Sequence, residues 1–188
     1  MVIVAGLGYF KLYKPYSKFK EMGVEKIFKN QKEAEQSILA AIKSSNKLCV
    51  FAVRGATFSD EENSTIAKEV HQRAKLKQFY LISSVNDNNY LTQRAETLKD
   101  PDLISGVEKS IASLTRASKE HSNIKIRLHN EIVRNRLILL DDYLYLSQIE
   151  DKRAKQTRIL KVNKNSSFYR TYAAFFDDLW EKYALEKK

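Results

Sequence analysis

The chain has 188 residues, of which 43% are hydrophobic, and its 33 basic and 23 acidic residues give a formal net charge of +10. These values exclude a disordered chain, predict one globular domain with its own core, and favour anionic partners. The single cysteine, Cys49, excludes an intrachain disulfide and implies no disulfide-linked partner. Its apolar surroundings in KLCVFAV predict a buried thiol in a reducing cytoplasm. No zinc spacing and no dinucleotide-binding or Walker motif is present, so no metal and no cofactor is expected.

The first 22 residues form a basic and aromatic N-terminal segment, which we predict to precede a single domain spanning residues 23–188. Its apolar start, MVIVAGLGYF, is too short to span a bilayer and lacks the basic residues and cleavage site of a signal peptide. For this start, a terminal strand or packing segment and the edge of a membrane anchor both stay open. The basic stretch KFKEMGVEKIFKNQK, interleaved with aromatic residues, could touch nucleic acid or a membrane surface. We expect a cytoplasmic protein, with peripheral membrane association through this segment left open.

Hydrophobic periodicity predicts alternating helices and strands in the first two-thirds of the chain. The first predicted elements are a helix over 31–45 capped by Asn30, a strand over 47–53 and a loop over 54–64. A helix capped by Asn63 or Ser64 then runs to about Lys75 and is followed by a strand over 78–84. A weak helix over 90–99 and a helix over 101–120, with Pro101 in its first turn, complete this part of the chain.

Strands cluster in the last third of the chain. The predictions are strands over 123–129, 136–141, 143–147 and 157–162, followed by a C-terminal helix capped by Ser166 or Ser167 with a broad apolar stripe. Several strands are continuously apolar, which is typical of strands covered on both faces. This order predicts an α/β fold with a mixed β-sheet, helices on both faces and a long C-terminal helix.

The stretch RNRLILLD, residues 134–141, keeps the spacing of a known catalytic signature. It resembles the His-x-Lys-x4-Asp motif of the phospholipase D-like superfamily, with Arg134 at the histidine position, Arg136 at the lysine and Asp141 at the aspartate. Ser147 falls near the serine that follows in the family. The C-terminal F-x-x-L-W, from Phe176, and the element order from about Gly23 are similar to a degenerate branch of that superfamily. The resemblance therefore implies a phospholipase D-like fold.

The departures from the motif bear on chemistry. In the active family one histidine attacks phosphorus and a second protonates the leaving group. Arg134 can do neither, because a guanidinium is protonated at any ordinary pH and offers no lone pair. The chain holds one copy of the motif, so a homodimer would bring two arginines together and no histidine pair. The resemblance implies a catalytically degenerate module, and we favour a protein that is not an enzyme.

The remaining residues suit anion binding. Arg134 and Arg136 share one side of a predicted strand, so that their guanidiniums could hold a phosphate or carboxylate, with Asp141 orienting one of them and Ser147 nearby. Arg54 and Thr57 follow the strand over 47–53, where open α/β sheets place ligands, and Arg94 is a further rim residue. In the alternative, which stays open, the two arginines pair with Asp141, Asp142 or Glu131 and serve structure alone.

These patterns predict a sensor, regulatory or interaction domain that binds a phosphate-bearing or other anionic ligand. The expected partners are nucleic acid or a phosphate-bearing small ligand, a protein partner, and a second copy of the chain. The alternative from another class is an active phosphodiesterase or nuclease with a non-standard site built on His129, Arg136 and Asp141. A third interpretation is a structural module whose anion site stays empty.

Overall fold

The fold is built on a seven-stranded sheet, seen in a computed structural model that describes residues 18–86, 89–148 and 157–185. The strands are β1 (Val24–Phe28), β2 (Lys47–Ala52), β3 (Lys77–Ser83), β4 (Ile124–His129), β5 (Asn135–Leu140), β6 (Tyr143–Gln148) and β7 (Ile159–Asn163). The helices with assigned bounds are α1 (Gln31–Ser44), α2 (Ala56–Ser59), α3 (Thr65–His71), α4 (Asn89–Leu98), α5 (Leu103–Glu120) and α6 (Ser167–Leu185). Within the described ranges, no helix is long and apolar enough to cross a membrane.

The strand order places the ends of some strands and the starts of others at one edge of the sheet. The order is β1-β7-β6-β5-β2-β3-β4, in which β2, β3 and β4 are parallel and the other neighbours are antiparallel. Because β5 runs against β2, with Leu137 opposite Phe51, the start of β5 lies at the edge where the parallel strands end. The start of β7 lies there too, since Ile159 is opposite Ser147 near the end of β6. We call this edge the carboxyl edge.

Helices cover both faces of the sheet, as the sequence predicted. On one face, the α6 face, the ring of Phe51 packs edge-on against Phe175, and Phe79 packs in the same way against Trp180. On the other, the α1 face, the Tyr145 hydroxyl hydrogen-bonds Ser37 of α1. The strands β2 and β5 are buried over most of their length, as expected for strands covered on both sides. The predicted mixed α/β sheet is confirmed.

The loop predicted over 54–64 contains the short helix α2, so that prediction was incomplete. Gly55 has a φ of 65°, which turns the chain sharply after β2 and leads directly into the helix. A Cβ at this position would lie 2.7 Å from the Ile82 side chain. Glycine is therefore required both by the left-handed backbone and by the close approach of β3.

Helix α3 is shorter than predicted. The Ser64 hydroxyl caps it by accepting a hydrogen bond from the Ala67 amide, but the helix ends at His71 and does not reach Lys75. Arg73 explains the early end, because its guanidinium donates to the carbonyls of Lys43 and Ser45. These bonds tie the turn after α3 to the end of α1. Pro101 likewise lies outside the helix it was assigned to, since α5 begins two residues later.

Strand β1 was not predicted, because lysines dominate the sequence around it. It pairs antiparallel with β7 and forms one edge of the sheet. Its last residue, Phe28, is buried and packs against Tyr145 of β6. The apolar stretch MVIVAGLGYF, for which a terminal strand and the edge of a membrane anchor were left open, lies outside the described residues.

Candidate functional site

Arginines from several segments converge on the carboxyl edge. Arg54 follows β2, Arg134 and Arg136 stand at the start of β5, and Arg158 immediately precedes β7. Arg94 of α4 belongs to the same edge, because it donates to the Tyr90 hydroxyl, which in turn donates to the Val133 carbonyl just before β5. Open α/β sheets bind ligands at such an edge. Arg158 was not predicted as a site residue, although its position just before a predicted strand could have indicated that it lies at this edge.

Arg136 is the central residue of this group. Its side chain lies on the α1 face, where its Nη1 donates to the Gln31 Oε1 at 2.9 Å. Burial lowers the pKa of Arg136 to about 10, which still leaves the guanidinium charged at neutral pH. In the described part of the chain, no carboxylate forms an ion pair with it. A half-buried positive charge with one neutral partner among the described residues is costly to the fold and has unused capacity for an anion.

Gln31 connects Arg136 to Thr57. While its Oε1 accepts from Arg136, its Nε2 donates to the Thr57 Oγ1 at 2.9 Å. Ser147 lies directly opposite Arg136 in the β5–β6 ladder and is buried. The structure therefore brings together three residues predicted from the sequence, Arg136, Thr57 and Ser147. Gln31 was missed, because the first residue of an amphipathic helix carries no motif.

Arg134 has a different environment from Arg136. It precedes β5, is exposed, and makes no side-chain hydrogen bond or ion pair with any described residue. The acids that were considered as structural partners are engaged elsewhere. Asp142 binds Lys164, Glu131 binds Lys182, and Asp141 binds backbone amides. The alternative in which carboxylates neutralise both arginines does not describe this structure.

Arg54 is held against the backbone of α5. A Cβ added to Gly106 would lie 2.2 Å from the Arg54 Nε, so the glycine makes room for the guanidinium. The Nε is buried and has no hydrogen-bond partner among the described residues. Arg54 is thus a second positive group at the carboxyl edge that no carboxylate in the described ranges neutralises. Gly106 was also missed, because a glycine within a helical pattern does not indicate what approaches it.

Asp141 lies at the opposite end of β5 from Arg136. Its carboxylate accepts hydrogen bonds from the Asn46 amide at 2.8 Å and the Lys47 amide at 3.1 Å. It therefore fixes the turn between α1 and β2. The structure does not bring it to the arginines that it was predicted to orient.

We expect Asp141→Asn to lower the free energy of unfolding by about 1–2 kcal/mol, because charge-assisted bonds to two backbone amides are weakened. Asp142→Asn is the matched control, since it removes an exposed ion pair with Lys164 and should cost clearly less. Urea denaturation of both variants measures the difference. Equal stabilities would show that the Asp141 hydrogen bonds do not stabilise the turn.

His129 lies on the other face of the sheet from Arg136. It ends β4, is 1% exposed, and its ring centroid lies 4.7 Å from that of Phe51 and 6.1 Å from that of Tyr183. Burial lowers its pKa to about 4, so it is neutral at pH 7. The three residues of the alternative enzyme site, His129, Arg136 and Asp141, therefore lie on two faces and at two ends of the sheet.

A polar cavity of about 210 Å³ adjoins Arg136 on the α1 face. It is lined by Gln31, Glu35, Ala56, Thr57, Asp60, Asn63, Ser64 and Ile66. Two of these residues are linked to Arg136 by a chain of hydrogen bonds, in which Gln31 accepts from the Arg136 guanidinium and Thr57 accepts from Gln31. The Gln31 amide therefore lies between the arginine and the cavity.

The described ranges contain neither a metal-binding site nor a reactive thiol. No group of three or more histidines, cysteines and acids there could hold a metal ion. Cys49 is buried in β2, and burial raises the pKa of its thiol to about 12. Such a thiol stays protonated and unreactive at neutral pH.

Comparisons with known proteins show the fold but not a family. No family model and no curated protein matches the sequence. Among solved structures, the chain is similar to TrmBL2, an archaeal chromatin protein that shows a novel mode of DNA binding, with a TM-score of 0.50 and 12% identity. The match covers 95% of this chain and 61% of TrmBL2. At this identity the likeness concerns the fold alone.

Proposed function

We propose that this chain is a catalytically degenerate phospholipase D-like domain that binds phosphate groups through Arg136 and serves as a sensor, regulatory or interaction module. The observation that carries the proposal is the charge of Arg136, which is half-buried and, among the described residues, has the neutral Gln31 as its hydrogen-bond partner. An arginine kept in this state suits a ligand that supplies the missing negative charge. The start of the RNRLILLD motif, with Arg134 and Arg136, stands at the edge where such folds bind ligands.

Nucleic acid is the phosphate-bearing partner that the proposal favours. The net charge of +10 and the arginines of the carboxyl edge suit a polyanionic backbone. The DNA binding of TrmBL2, a protein of similar fold, supports the same partner. The predicted homodimer, protein partner and cytoplasmic location stay predictions.

The alternative of an active phosphodiesterase receives no support from the geometry. It needs a base and an anion-binding group at one site, whereas His129 and Arg136 lie on opposite faces of the sheet. The His129 Nε2 is moreover buried without a partner among the described residues. Phosphate recognition without hydrolysis is the function that these residues support best.

The test is fluorescence anisotropy with labelled single- and double-stranded DNA and RNA across a salt series. We expect Arg134→Ala/Arg136→Ala to weaken binding at least about tenfold and to reduce the salt slope by the contribution of one or two phosphates. Inorganic phosphate and pyrophosphate, as competitors, distinguish a small phosphate ligand from a nucleic-acid backbone.

The matched control is Arg116→Ala/Arg170→Ala. Both arginines are exposed and distant from the carboxyl edge, and the same charge is removed. This double variant should keep near-native affinity. If both double variants lose affinity equally, net charge alone explains the binding and the proposed site is wrong.

A further inference from the structure

Among the described residues, the cavity beside Arg136 has unused acceptors and few unused donors. The Glu35 carboxylate makes no hydrogen bond or ion pair with any described residue. The Thr57 hydroxyl accepts from Gln31 and keeps its own proton to donate. Asp60 is partly engaged, since its carboxylate accepts from the Asn63 amide and side chain. A ligand group in this cavity must therefore supply mainly hydrogen-bond donors.

Spacing relates this cavity to the phosphate site. Gln31 and Glu35 are four residues apart in α1, so their side chains lie on one face of the helix, about one turn or 5 Å apart. The Gln31 amide contacts Arg136 on one side and lines the cavity on the other. A molecule with hydroxyl groups about one sugar ring away from its phosphate can reach both sites.

The volume limits what the cavity holds. At about 210 Å³ it is smaller than the pockets that enclose whole drug-sized ligands. It suits one sugar ring and leaves a base outside. A carboxylate that accepts from sugar hydroxyls is also an established way in which α/β folds hold a ribose.

We propose that the cavity takes the ribose of a ribonucleotide whose phosphate binds at Arg136, with Glu35 accepting from the sugar hydroxyls and Thr57 donating to one of them. The ligand class is thus a ribonucleotide, either free or as the terminal residue of an RNA strand. This inference rests on the proposed phosphate-binding function and adds the 2′-hydroxyl as the group that the site selects.

Isothermal titration calorimetry with AMP, 2′-deoxy-AMP and inorganic phosphate tests it. We expect the native chain to bind AMP about tenfold more tightly than 2′-deoxy-AMP, a ratio that corresponds to 1.4 kcal/mol. Glu35→Gln should reduce this preference to twofold or less and should not weaken the binding of inorganic phosphate. Glu120→Gln, at the exposed end of α5, is the matched control and should keep the preference.

Two results would overturn the inference. They differ in whether the proposed phosphate site also fails. If AMP and 2′-deoxy-AMP bind equally and Arg136→Met weakens both, the ribose site is wrong while the phosphate site stands. If neither nucleotide nor phosphate binds, both the ribose site and the proposed function are wrong. A 5′-phosphorylated RNA octamer that binds more tightly than AMP, with the same dependence on Glu35, would assign the site to strand ends.

Discussion

We expect the free energy of unfolding to fall by about 3 kcal/mol between pH 6.5 and pH 4 because of His129 alone. The folded state lowers the pKa of this histidine from 6.5 to about 4, mainly because the ring is buried. Protonation therefore favours the unfolded chain. The stabilisation by neutral His129 is complete above pH 6.5 and is lost as the pH falls toward the folded pKa.

Urea denaturation at half-unit pH intervals measures this loss. His129→Phe keeps an aromatic ring between Phe51 and Tyr183 and should flatten the curve between pH 6.5 and pH 4.5, whereas exposed His121→Gln should not change it. Glu131 affects only the lower part of this range. Its pKa is lowered, chiefly by the hydrogen bond from Lys182, so its own stabilisation is lost from the ordinary pKa of a glutamate downward, and the comparison above pH 5 isolates His129. An unchanged slope in His129→Phe would contradict a buried neutral imidazole.

Arg136→Met should stabilise the fold by about 1–2 kcal/mol and weaken phosphate binding at least about 30-fold. The stabilisation is expected because a side chain of similar volume replaces a half-buried charge that no carboxylate of the described residues neutralises, although Gln31 loses a donor. The loss of binding is expected because the same charge would pair with the ligand. Thermal denaturation and calorimetry with phosphate measure the two effects.

Arg134→Met is the matched control for the expected gain in stability and loss of phosphate binding in Arg136→Met. Arg134 is exposed, so its replacement should leave the stability within about 0.5 kcal/mol of the native value and weaken binding less. If Arg136→Met destabilises the chain and leaves phosphate binding intact, Arg136 is a structural residue and not a binding one.

The sequence was sufficient for most of the fold, because hydrophobic periodicity follows from the burial of each element. Asn30 was predicted as the cap of α1, and its side chain does accept from the Glu33 amide. Strand β1 was missed because it is an edge strand rich in charged residues, whose pairing with β7 depends on tertiary context. The end of α3 was misplaced because Arg73 of the following turn binds carbonyls near the end of α1.

The candidate site was predictable only in part. Motif spacing pointed to Arg136 and Ser147, and the place of Thr57 after a strand pointed to the same edge. Sequence spacing could not show that the side chains of Asp141 and Arg136 make their hydrogen bonds at opposite ends of β5. It also could not show that His129 and Arg136 lie on opposite faces of the sheet. Gln31 and Gly106 carry no motif, since their roles come from contacts with Arg136 and Arg54 that only the folded chain creates.

NMR of the arginine side-chain Nε–H groups during a titration with inorganic phosphate tests the central claim most directly. The Arg136 resonance, assigned by its absence in Arg136→Lys, should shift and saturate with phosphate, while the Arg116 resonance should stay in place. This result would identify the unneutralised guanidinium as the phosphate ligand. A saturable shift of other arginines with Arg136 unchanged would place the anion elsewhere and contradict the proposed site.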